Sequence, residues 1–370
     1  MKKLTSFGLL NIIQFLAAIN ENLYKLLVAF FLISEYGERH TSTIMAIIGV
    51  LFILPFLLFS SLGGIFADIK PKSQITRITR FLEFCCLILA LFIFGFHLSF
   101  GAYVILFLMA SLSAIFGPSK YGIIPELIDS SRILYANSVI AAFTFLGIII
   151  GTTLASFVVW LTSANYVLAL SVSVVIALSG AILSLFLPKT PIGNKDKPIR
   201  FFIYIELWDA LKQMWTIPSL IKATFAYSYF LFVGGFIQLN IIPYTVQTLG
   251  FSDIIGGYFF LATALGLGFG AFFTDRISHG RIRLGMIPLA GMGISLVLIL
   301  MKWFYTPWAL VVTWMVLLGF LGGIFLVPAQ AFVLSASPET DRGRNFATAN
   351  FFSFVFALLA AIALYLLNTM

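Results

Sequence analysis

The sequence predicts an all-α polytopic membrane protein with two pseudo-symmetric helical bundles and about 11 spans. Three observations carry this expectation. The 370 residues are 61% hydrophobic and only 10% charged, with a mean hydropathy of +1.07, whereas soluble domains carry about 25% charged residues. Nearly every segment between polar clusters reaches the roughly 20 residues that a membrane helix needs. These runs, such as Val139–Leu161 and Tyr166–Leu187, are apolar all round, which excludes the period-two alternation of an outer-membrane barrel.

Read in order, the spans are Phe7–Ile33, Thr43–Ala67, Ile78–Leu98, Gly101–Ile123, Asn137–Leu161 and Asn165–Leu187, then Leu220–Val246, Ile254–Thr274, Gly285–Phe304, Trp308–Leu334 and Phe346–Leu367. The longest polar connection separates a six-span bundle (1–187) from a five-span bundle (219–370), with a linker at 188–218. Within that linker, Arg200–Trp215 mixes apolar residues with Glu206, Asp209 and Lys212. Such a segment suits an interfacial amphipathic helix or a linker helix packed on the bundle. The first apolar run is too long for a cleavable signal and many spans follow it. Cys85 and Cys86 are adjacent in an apolar run. That placement suits neither a relaxed disulfide nor a metal site, and predicts buried apolar filler.

The net charge of +8 marks orientation. With the N-terminus in the cytoplasm, Lys2, Lys3, Lys70, Lys72, Arg77, Arg132, Lys189, Lys195, Lys197, Arg200, Lys212, Arg276, Arg281, Arg283, Arg342 and Arg344 all fall inside, 16 of the 22 basic residues. Arg39 and Lys302 fall outside, and Lys25, Arg80, Lys120 and Lys222 lie in or at the ends of spans. This is the positive-inside pattern. A nucleic-acid partner would need a basic patch on a polar scaffold, and none is expected.

The halves repeat one another. GGIFADIKPK (Gly63–Lys72) follows the second span and GAFFTDRISHGR (Gly270–Arg281) the eighth. Each places a small residue, Gly64 or Ala271, about one helical turn before an aspartate, Asp68 or Asp275. The small residue is expected to clear space for a neighbouring helix beside the carboxylate. Spans four and ten are expected to end at prolines, in FGPSKYG (Phe116–Gly122) and FLVPAQA (Phe325–Ala331). Repeated halves around a long central loop form a transporter architecture.

The loop pattern, met by Gly64, Asp68, Lys70 and Lys72 and again by Asp275-Arg276, resembles the signature of the major facilitator superfamily. FGPSKYGIIPEL (Phe116–Leu127) followed by Ala136-Asn137 is similar to the lysophospholipid transporters and to the transporter half of bifunctional acyltransferases. QFLAAINENLYK (Gln14–Lys25), GGFIQLNIIPY (Gly234–Tyr244) and RNFATAN (Arg344–Asn350) extend that resemblance over both halves. It implies a major facilitator fold. Twelve spans are usual in that superfamily, so the twelfth is expected to be missing from a chain that stops after its eleventh. It also implies alternating-access transport of lysophospholipid across the inner membrane towards the cytoplasmic leaflet, alongside a reacylating enzyme, by an expected monomer. Facilitated export of drugs or small metabolites, and a non-transporting scaffold for an acyltransferase, are the alternatives.

Glu21 stands near the middle of the first span within Asn20-Glu21-Asn22. An intramembrane carboxylate there costs at least ~2.5 kcal/mol, and in the resembling family a carboxylate at this position is implicated in transport or ion coupling. Lys25 lies four residues on, so mutual neutralisation is the structural alternative. Lys120 follows Pro118 and suits either a lipid phosphate or a snorkelling anchor. Gln238 and Asn240 are polar at bilayer depth and can bind a headgroup or a neighbouring helix. Asp68, Asp275 and Arg276 are assigned to gating. Gly117, Pro118, Tyr121, Gly122, Glu126 and Asn137 belong to the family motif: Tyr121 and Gly122 are expected to pack round a kink, Glu126 to pair with a loop arginine, and Asn137, like Asn345, to cap its helix. The 41 phenylalanines are expected mostly to face lipid or pack.

Enzymatic chemistry is not expected. The chain contains no Gly-Lys pair for a phosphate loop, and Met45, Ala102 and Leu284 stand where an acyltransferase would need an aspartate five residues beyond His40, His97 or His279. No nucleophilic triad or metal-ligand spacing stands out. No cofactor is expected, and coupling to sodium or protons is left open. The orientation has a direct check: alkaline phosphatase fused after Gly193 should be inactive in cells and a fluorescent protein fused there bright. The reverse pair of signals would overturn it.

Overall fold

A computed structural model describes residues 2–193, 203–251 and 253–369. Lys195, Lys197 and Arg200 of the expected basic linker lie outside the described residues. The described chain is helical throughout its regular structure: α1 Lys2–Tyr36, α2 Thr41–Ile69, α3 Lys72–Gly95, α4 Ser99–Gly122, a short α5 Ile124–Leu127, α6 Ile133–Leu161, α7 Tyr166–Leu185, α8 Ile203–Trp215, α9 Pro218–Pro243, α10 Asp253–Ile277, α11 Met286–Trp303, α12 Trp308–Ala336 and α13 Arg342–Thr369. Among the described residues, 11 of these helices are long and apolar enough to cross a membrane. The segment expected to be amphipathic forms α8.

The helices gather into two units, each built from three separate stretches of the chain. The first comprises Met1–Ile128, Gly147–Ala210 and Pro338–Thr348, the second Asp129–Leu146, Leu211–Ser337 and Ala349–Met370. Helices α6 and α13 therefore each contribute one part to each unit.

In the first unit, α2 packs on α4, α3 on α4 and α7, and α1 on α7. Leu23, Tyr24, Leu27, Phe31, Phe94 and Ile105 form its apolar centre, where the Phe31 and Phe94 rings stack with centroids 4.3 Å apart. Gly151 lets α6 lie against α1 so closely that a Cβ there would fall 2.3 Å from the Ile19 carbonyl oxygen. In the second unit, α12 packs on α9, α10 and α11. The α10–α12 contact is lined by glycines on both helices. A Cβ on Gly270 would fall 2.0 Å from the Phe320 oxygen, and one on Gly319 would fall 1.9 Å from the Thr263 oxygen. Close backbone approach through small residues is how helices gain contact where lipid removes the hydrophobic drive. Large apolar side chains on the outside, such as Phe81, Phe100 and Trp160, are what a hydrocarbon solvent accepts.

Several expectations are corrected at this level. Pro118 and Pro328 do not end their helices but lie inside α4 and α12. Neighbouring helices in a membrane bundle re-satisfy the backbone that a proline frees. Asn137 caps nothing: α6 starts at Ile133, and the Asn137 amide donates to the Ile133 carbonyl at 2.9 Å. Asn345 likewise lies within the first turn of α13. Cys85 is exposed and Cys86 half-buried, because their stretch of α3 turns an apolar face outward.

The α10–α12 contact yields a stability prediction. Gly319→Ala should cost about 1–3 kcal/mol through overpacking, read as a lower unfolding temperature of the purified protein. Gly180→Ala, where a Cβ would meet nothing within 4 Å, should not lower it.

Candidate functional site

The first unit carries a cluster of charges inside its spans. Glu21 and Lys25 come from α1, Arg80 and Glu83 from α3, and Lys120 from α4. The Glu21 carboxylate interacts electrostatically with Lys25, Glu83, Lys120 and Arg80. The expected roster therefore held three of these five, and Arg80 and Glu83 complete it. Their signal was present in the sequence as an (i, i+3) ion pair of long side chains at the start of an apolar run, with Arg80 treated there only as a topology marker.

Arg80 and Glu83 form a direct salt bridge with side chains 3% and 7% exposed. The Arg80 guanidinium also lies over the Phe116 ring, 4.4 Å from its centroid. The Asn20 amide donates to Glu83 Oε1 at 2.7 Å, which ties α3 to the residue preceding Glu21. The pair thus neutralises itself and leaves Glu21, Lys25 and Lys120 as a half-buried group with two cations for one carboxylate. Lys25 is the foremost charged neighbour of Glu21, as the mutual-neutralisation reading has it. Its Nζ donates to Asn22 Oδ1 at 3.1 Å and sits 4.6 Å from the Phe52 ring centroid. Lys120 Nζ lies 4.8 Å from the ring of Tyr121.

A second polar assembly stands at the Asp68 end of the same unit. The backbone N–H groups of Gly343 and Arg344 donate to Asp68 Oδ1 and Oδ2 at 2.8 and 3.1 Å. A buried carboxylate thereby caps the N-terminus of α13, where the helix dipole favours negative charge. The space beside the carboxylate is cleared as the repeat implied: a Cβ on Gly64 would fall 2.6 Å from Ala347 Cβ and 2.9 Å from the Gly343 oxygen. Arg344 reaches Asp341 at 3.0 Å and Glu206 of α8 at 4.0 Å. Glu126 pairs with buried Lys72 at 2.5 Å, which corrects the expected loop arginine: Arg342 acts on it more weakly than Lys72. Burial raises the Glu126 carboxyl above its ordinary range, against the pull of Lys72 and Arg342. Gly122 leaves room for the Lys72 stem, 3.0 Å from where a Cβ would stand, and Tyr121 packs on Phe346 with centroids 4.5 Å apart. Gly117 and Pro118 lie within α4 beside Phe116, the residue that carries the Arg80 guanidinium.

In the second unit, Ala271 is buried with Ile133, Leu134 and Ala141 of α6, the counterpart of Gly64 against α13. Asp275 is half-buried beside Arg276, whose guanidinium lies 5.2 and 5.3 Å from the Phe272 and Phe273 rings. Gln238 is exposed, and the Asn240 amide returns to its own helix at the Phe236 carbonyl. The buried polar centre of this unit lies elsewhere: the Tyr227 hydroxyl donates to Asn350 Oδ1 at 2.8 Å and is hydrogen-bonded with Gln330 and Ser353. Single polar residues scattered over three spans gave the sequence no spacing by which to join them.

A family model described as Major Facilitator Superfamily matches residues 10–361. The chain is 23% identical over 301 residues to Lysophospholipid transporter LplT of Photorhabdus laumondii, covering 80% of this chain and 72% of that one. It is 24% identical over 339 residues to the protein of that name from Enterobacter sp. (strain 638), covering 90% and 81%. Among solved structures, the fold is similar to the Escherichia coli Fucose:proton symporter FucP, with a TM-score of 0.80 at 14% identity over 100% of this chain and 93% of that one. It is also similar to the human organic anion transporter MFSD10, at 0.77 and 15% over 96% and 92%.

Removing one member of the Arg80–Glu83 pair leaves an uncompensated buried charge. Glu83→Leu should destabilise by about 3–5 kcal/mol. The double change Arg80→Met with Glu83→Leu should recover most of that loss in thermal unfolding of the purified protein.

Proposed function

The chain belongs to the Major Facilitator Superfamily, and from that premise we propose that it moves lysophospholipid across the inner membrane towards the cytoplasmic leaflet by alternating access. One observation carries the reading: a carboxylate and two cations stand together, half-buried, at membrane depth. A zwitterionic headgroup has the complementary pattern. Its phosphate would meet Lys120 and Lys25 as point charges, and its ammonium would meet Glu21. The self-neutralised Arg80–Glu83 pair would hold the two helices that present these groups, with Asn20 as the tie. Relatives named as lysophospholipid transporters, at 22–25% identity, support the substrate class.

Asp68 would act as a gate, its hydrogen bonds to Gly343 and Arg344 holding the start of α13 in one access state. Asp275 and Arg276 would serve the corresponding contact in the second unit, and Gln238 and Asn240 would supply further headgroup hydrogen bonds. The N-terminus would lie in the cytoplasm, a sodium or proton gradient would drive the cycle, and a reacylating acyltransferase would consume the product.

Uptake of labelled lysophosphatidylethanolamine into cells lacking their own transporter tests this reading. Wild type should accumulate the lipid. Glu21→Gln and Lys120→Met should each lower uptake tenfold or more, the equivalent of about 1.4 kcal/mol, at equal amounts of inserted protein. No uptake by well-inserted wild type would overturn the lipid reading, with drug resistance instead favouring an exporter. Uptake unchanged in Glu21→Gln would remove that carboxylate from the mechanism.

A further inference from the structure

The first unit contains a cleft of about 190 Å3 between α1 and α2. Lys25 stands in its lining, and the remainder is apolar, including Ala29, Met45, Ile48, Gly49 and Phe52. The polarity of α1 changes sharply at this point. Asn20, Glu21 and Asn22 precede the cleft, and Lys25, Leu26 and Ala29 line it. The facing stretch of α2, Met45 to Ile53, runs about 12 Å at ~1.5 Å per residue. A cation with one side-chain hydrogen bond, to Asn22, and a ring beneath it therefore stands where a wholly apolar slot meets the charged cluster.

From this juxtaposition we infer that the α1–α2 cleft is the seat of a single alkyl chain, belonging to an amphiphile whose anionic group lies beside Lys25. The occupant is fixed by charge and by size. An uncharged apolar ligand would gain nothing from the ammonium, while a phosphate ester next to it would be paired at the mouth of the slot. A cleft of this volume is below the roughly 300–1,000 Å3 of pockets that enclose drug-sized ligands. It has room for the headgroup-proximal part of one chain. The inference rests on the lipid-transport reading and adds where the chain lies and what limits it.

Gly49 makes the cleft testable, because it lines the slot and a Cβ there would meet nothing within 4 Å. Leucine at this position fills the slot while raising helix propensity, so folding is preserved, and an unchanged unfolding temperature verifies it. The measurement is uptake of palmitoyl and hexanoyl lysophosphatidylethanolamine by wild type, Gly49→Ala, Gly49→Leu and Glu21→Gln in proteoliposomes. The palmitoyl-to-hexanoyl ratio should fall about fivefold or more in Gly49→Leu, roughly the burial of one methylene or somewhat more, with Gly49→Ala between it and wild type. Glu21→Gln should lower both lipids in common proportion. An unchanged ratio in Gly49→Leu, with robust wild-type uptake, would overturn the cleft assignment and leave lipid transport standing. Wild type taking up neither lipid would overturn both.

Discussion

Hydrocarbon offers no hydrogen bonds, so each polar group within the spans must find its partner inside the chain. That one constraint underlies the helical backbone, the placement of the charges and the close helix contacts. It explains why Arg80, with its Glu83 partner and the Phe116 face, is almost wholly covered, and why an asparagine on α1 reaches across to Glu83. It also explains the glycines of α10 and α12. With no water to expel, attraction between these helices comes from close backbone contact, and any side chain at Gly270 or Gly319 would hold them apart.

The charged residues of the first unit divide into a self-contained pair and a looser group. Arg80 and Glu83 satisfy one another. Glu21, Lys25 and Lys120 remain half-buried, with an excess positive charge that a phosphate would balance. The apolar cleft begins where this polar cluster ends.

The repeat visible in the sequence has a physical counterpart in both units. At the end of α2, Gly64 admits the start of α13, and Asp68 takes up two of its free amides. At the end of α10, Ala271 packs against the start of α6. A helix N-terminus presents four unpaired N–H groups, and in the first unit the Asp68 carboxylate, one turn beyond a small residue, takes up two of them. The first unit adds Arg344 with Asp341 and Glu206, bringing α8 into the same assembly.

Composition and span length were enough to determine a helical membrane protein and the 11 candidate spans among the described residues, because hydropathy is additive along a chain and a spanning helix satisfies its own backbone. The position of Glu21 in the middle of α1 also marked it from sequence alone, since an isolated intramembrane carboxylate is costly. Tertiary structure decided what each polar residue meets: Lys72 ahead of Arg342 for Glu126, a helix N-terminus for Asp68, and the Arg80–Glu83 pair beside Glu21. It also decided that Tyr227, Gln330, Asn350 and Ser353 share one centre, and that two helices open into a cleft at Gly49. Those contacts join residues tens to hundreds of positions apart, and side-chain pairing depends on how helices rotate and approach. Local hydropathy carries no record of that rotation.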